Sequence, residues 1–123
     1  MKGTVTALNA TPEGEQIASV ETDYGVIVGV WEGQTPSLYS TVFVEIEFEP
    51  EPDPVAGGQS NFTATSPARK GVLLTGIAET WHDGVLDLRI GPSLVQVELS
   101  SAPPIGHWLT VKGDHLRIFD SNL

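Results

Sequence analysis

Residues 41–54 read TVFVEIEFEPEPDP. From Val44 to Glu49 apolar and acidic residues alternate without a break. Val44, Ile46 and Phe48 fall in one phase, and Glu45, Glu47 and Glu49 in the other. Successive side chains on a strand point to opposite faces, so this stretch predicts one strand with an apolar side for a core and a carboxylate side for water. The acidic phase runs on through Glu51 and Asp53, interleaved with Pro50, Pro52 and Pro54. Proline has no N–H to give a ladder, so pairing should stop near Pro50 and the chain should leave as an extended, polyproline-like arm.

Upstream, the same logic predicts a strand at residues 2–9. It also predicts a hairpin in which residues 16–22 and 26–32 flank Asp23-Tyr24-Gly25, since two β-rich runs joined by a short glycine-containing turn pair with each other. Downstream, residues 55–70 are rich in Gly, Ser and Thr and lack periodicity. They predict a long mobile loop, in which Phe62 is either an anchor packed on the domain or an exposed contact. Strands follow at residues 71–80, 85–90 and 94–99, the first bent at Gly76 and the next two joined through Gly91-Pro92-Ser93. Residues 108–112 and 116–119 read as a closing pair around a Gly113-Asp114 turn, with His115 in that last hairpin.

The chain of 123 residues is long enough for one domain with its own core. The pattern predicts an all-β, mostly antiparallel small barrel or sandwich of about eight to ten short strands. Both halves place a hairpin after a glycine-led strand, then a Pro/Ser loop, then a strand opened by an aromatic. The reading is therefore a single domain over 1–123 with pseudo-repeats at 1–54 and 69–123, joined by the mobile loop 55–68.

The second half, ending in Trp108-Leu-Thr-Val-Lys-Gly-Asp-His-Leu-Arg-Ile118, resembles an OB-fold in its order of strand, hairpin and loop. It departs from that pattern in lacking a helix before the fourth strand, because Ser100 to Gly106 is short and proline-rich. The resemblance implies binding of oligonucleotides or glycans on a barrel face in preference to catalysis.

Charge narrows the function classes. The net charge is −10, and nearly all of it lies before residue 67. Such a field repels polyanions and speeds encounter with a cationic partner, so nucleic acid is disfavoured. With no cysteine, disulfides, thiolate metal sites and cysteine nucleophiles are excluded. No apolar leader precedes the first strand and no run reaches a ~20-residue span, so cytoplasmic residence without a membrane is expected.

Candidate chemistry is sparse. Carboxylates two apart on a strand lie about 6.6–6.8 Å apart, too far to close on one cation unaided. His82, His107 and His115 have no ligand spacing, and neither a nucleophile elbow nor a phosphate loop occurs. No enzyme activity, cofactor or metal is expected. Trp31 and Trp108 lie in phase with apolar neighbours and belong to the core. Trp81, beside a turn, is the best exposed ring, with Arg69, Lys70, Arg89, Lys112 and Arg117 as candidates for a basic patch near it.

The leading expectation is a non-catalytic module that docks a basic protein partner. In it Glu45, Glu47, Glu49, Glu51 and Asp53 supply steering and rim contacts, and Phe62, Tyr39 or Trp81 an apolar anchor. In size, acidity and lack of cysteine the chain resembles bacterial immunity or inhibitor proteins, which implies neutralisation of a cationic toxin or enzyme. The alternatives are an OB-like ligand binder and a structural subunit that pairs strand edges with its own copies. Against all three stands the plainer reading that the acidic row is a solvated face protecting a sheet edge.

Overall fold

The computed structural model describes residues 1–121. They form an all-β structure of β1 (Lys2–Ala10), β2 (Gln16–Thr22), β3 (Gly25–Glu32), β4 (Thr41–Pro50), β5 (Val55–Ala56), β6 (Thr63–Thr65), β7 (Val72–His82), β8 (Val85–Ile90), β9 (Ser93–Glu98) and β10 (Trp108–Asp120). Among the described residues no helix is long and apolar enough to cross a membrane.

The hydrogen-bonded order is β3-β2-β1-β4-β10-β7-β8-β9. It reads alike from either end. Each end is a three-strand meander, and each meander's first strand pairs with β4 or with β10, which pair with each other at the centre. The first meander closes into a ring, because β3 also pairs with β10 in parallel through Arg117↔Val30, Ile118↔Trp31 and Phe119↔Glu32. The second does not. β9 packs beside β4 in the shared core without laddering to it.

β10 departs from the expected hairpin. It runs unbroken for 13 residues, so Gly113-Asp114 is no turn. Its first half pairs with β7, and its second half with β4 and β3. The change of neighbours is made by an irregularity between Asp114 and Arg117, where His115 adopts φ 56°. A turn signal and a bulge signal share the same residue types, and here the bulge wins because each half of the strand has its own ladder to join. Gly113 is required by crowding. A Cβ there would stand 2.6 Å from the Glu49 carbonyl oxygen and run into the Phe48 ring.

Two short paired strands lie within the segment expected to be a loop. β5 pairs with Leu109 and Thr110, and β6 with Leu73–Thr75. The Ala64, Ser66 and Lys70 amides donate to the Tyr24, Val26 and Val28 carbonyls. Polar, Gly-rich composition hides this because the hydrogen bonds come from the backbone. The core is one cluster spanning both ends, with Val5, Ile27 and Trp31 from the ring, Leu74, Leu86 and Val97 from the second meander, and Leu109, Val111, Leu116 and Ile118 from β10 between them.

Candidate interaction face

β4 carries the acidic row where the alternation put it. Val42, Val44 and Ile46 are buried, and Glu45, Glu47 and Glu49 are exposed. Burial of the apolar phase determines which way the strand faces, since a one-residue slip would turn the glutamates into the core. β1 pairs with the strand only over Thr41–Phe43, and β10 with Val44–Glu49 on its other side. Among the described residues the glutamate stretch is therefore laddered on one side only.

Register assembles the rest of the face. Glu45 stands opposite Phe119, and Glu47 opposite Arg117. Arg117 Nε donates to Glu32 Oε1 at 2.9 Å, while Nη1 lies 3.6 Å from Glu47 Oε2. Its guanidinium sits 5.2 Å from the centre of the Phe119 ring. The hydrogen bond it donates to Glu32, then that residue's charge, hold the arginine above its ordinary pKa, with a smaller contribution from the Glu47 charge. His115 Nε2 is 3.6 Å from Glu49 Oε2. Near the other end of β4 the Met1 amine donates to the Val44 carbonyl at 2.8 Å. Burial lowers that amine's pKa, and the Glu45 charge opposes the shift.

Glu51 and Asp53 are exposed, but they do not sit on a free arm. The Glu51 amide donates to the Lys112 carbonyl at 2.8 Å, and β5 returns to β10 directly after Pro54. The prolines thus span a short bridge pinned at both ends.

Of the apolar candidates only Tyr39 is freely presented. It is 75 % exposed and held at φ 61°, with its amide on the Val5 carbonyl. Phe62 is packed, edge-on to Tyr24 at 6.2 Å and tilted on Trp108 at 4.9 Å, under the Arg89 guanidinium. Trp81 is half-buried, and its indole N–H donates to the Leu99 carbonyl at 3.0 Å. The missing member is Phe43, 44 % exposed and in phase with the glutamates. Its position was visible in the alternation, which continues backwards from Glu45.

The basic residues are not gathered beside Trp81. Lys70 pairs with Glu15, Arg89 with Glu79, and Arg117 with Glu32 and Glu47. Among the described residues no group of three His, Asp or Glu side chains is arranged to hold a metal ion.

A second concavity lies over β2 and β3. An open groove of about 1230 Å³ has Ile17, Ser19 and Val28 along it, with the β1–β2 loop, including Glu13 and Glu15, and residues 66–70 beside them. The 2.8 Å Lys70–Glu15 ion pair ties these flanking segments together. No aromatic ring lines it. No family model, curated protein or solved structure matches this chain.

Proposed function

We propose that the protein is a non-catalytic binding module that docks a cationic protein partner on the outer face of β4, in the manner of an inhibitor or immunity protein. The observation that carries this is the row of Glu45, Glu47 and Glu49, exposed on the outer face of β4 and continued past the end of the strand by the exposed Glu51 and Asp53. Like charges along a strand cost stability, and the row runs on past Pro50, where the strand has ended and leaves no ladder to protect. Phe43 and Tyr39 supply the apolar contacts, and the row continues into Glu51 and Asp53. The carboxylates share one solvated environment, which gives none of them the contrasting setting that paired acid–base chemistry needs.

The test is association kinetics with the partner recovered from native lysate. Reversing Glu47 and Glu49 to Lys should slow association by on the order of tenfold or more at low salt and flatten its salt dependence. An unchanged association rate would reduce the row to a solvated face.

The groove favours a second reading. OB-type barrels take oligonucleotides or glycans over their second and third strands beside the first loop, and the groove here lies over β2 and β3 beside the β1–β2 loop. The absence of lining aromatics weighs against base or sugar stacking. A labelled single strand retarded at low salt, and released by Arg69→Glu, would favour it.

A further inference from the structure

We infer that the second meander can close as the first does, with β9 zipping onto β4 as a parallel ladder that acidic side chains hold open. The backbone phase of both strands is already right. The Leu99 amide donates to the Gly84 carbonyl at 2.9 Å, so antiparallel alternation turns Val97, Val95 and Ser93 toward β8. It leaves the amides and carbonyls of Leu94, Gln96 and Glu98 pointing away from it. On β4, Met1 and Val44 exchange backbone hydrogen bonds of 2.8 and 2.7 Å. Ile46 and Phe48 therefore turn their backbone groups to the same side, where among the described residues no strand ladders to them. β9 runs beside β4. Two unpaired edges thus face one seam, each with alternate residues presented, as a parallel ladder requires.

Side chains explain why the ladder is absent. Any register that keeps Val95 and Val97 in the core puts Gln96 and Glu98 on the surface that carries Glu45, Glu47 and Glu49. At the equivalent seam of the closed ring, β3 brings Glu32 to Arg117. One seam is bridged by opposite charges, and the other is lined by like ones. Neutralising the acidic row therefore closes the second ring. A cationic partner seated on that row supplies the same neutralisation, so docking and closure are coupled; that coupling alone rests on the docking reading above.

The experiment needs no partner. Glu98→Arg gives the open seam the kind of bridge that Arg117 makes, at an exposed position the fold does not depend on. Amide exchange at Ile46, Phe48, Gln96 and Glu98 should slow by about tenfold or more, while Glu13→Arg, an equal charge change on a remote loop, leaves those rates alone. In this cysteine-free chain, Gln96→Cys combined with Glu45→Cys, Glu47→Cys or Glu49→Cys should yield an intramolecular disulfide in one of the three pairings, faster when Glu98→Arg is added. Equal slowing by Glu13→Arg, or no slowing and no disulfide, overturns the latch. Closure in the variant without any effect of a basic partner removes only the coupling.

Discussion

The β3–β10 seam and the β4–β9 seam occupy equivalent places in a strand order that reads alike from both ends, yet only the first is laddered. Apolar pattern does not separate them. Trp31 and Ile118 are buried at one, and Ile46, Val95 and Val97 at the other. What differs is the outer face, where Glu32 meets Arg117 across the closed seam and Glu98 would join the glutamate row of β4 at the open one. Burial decides that strands lie side by side, and charge on the solvent face then decides whether neighbouring edges meet.

The largest effect should come from the strand both ends share. Leu116 is fully buried in β10, and Gly29 lies so close that a Cβ on it would stand 2.6 Å from the Leu116 carbonyl oxygen. Leu116→Ala should cost about 2–5 kcal/mol. Because β10 belongs to both meanders, denaturant unfolding should stay a single transition by far-ultraviolet dichroism and tryptophan fluorescence. Two separated transitions would mean that the ends fold independently.

Next in size is the charge reversal Glu47→Lys with Glu49→Lys, read as a slower association rate. The same change places a lysine beside Arg117, so a modest drop in Tm should accompany it. A smaller effect is expected from Arg117→Gln. It removes the bridge to Glu32 and Glu47 at an exposed site, so Tm should fall slightly and the β3–β10 amides should exchange faster, with β7–β8 unaffected. If β7–β8 loosens equally, Arg117 supports the whole sheet and not one seam.

Much of this was legible in residues 41–54. The strand, its buried phase, its exposed acids and its end at Pro50 all follow from a period of two and from proline's missing N–H. The hairpins at Asp23-Tyr24-Gly25 and Gly91-Pro92 were legible for the same local reason. Gly113-Asp114-His115 was not, because a bulge reads as a turn until the neighbouring strands are known. Residues 63–70 were missed because backbone hydrogen bonds to Tyr24, Val26 and Val28 leave no mark on composition. Arg117 was legible as a charge but not as the partner of Glu32, 85 residues away, since register between distant strands is set by the assembled sheet. Phe43, in phase with the glutamates, could have been read and was passed over for Phe62 and Trp81, whose contacts turned out to be internal.

The most direct test of the contrast between the two seams is native-state amide exchange on the unmodified protein, resolved by residue. The account predicts that Ile118 and its neighbours in the β3–β10 ladder exchange only through global unfolding, while Ile46, Phe48, Gln96 and Glu98 exchange orders of magnitude faster through an edge with no ladder. Equal protection at the two seams would contradict it, because the second ring would then be closed already and the acidic row would hold nothing open.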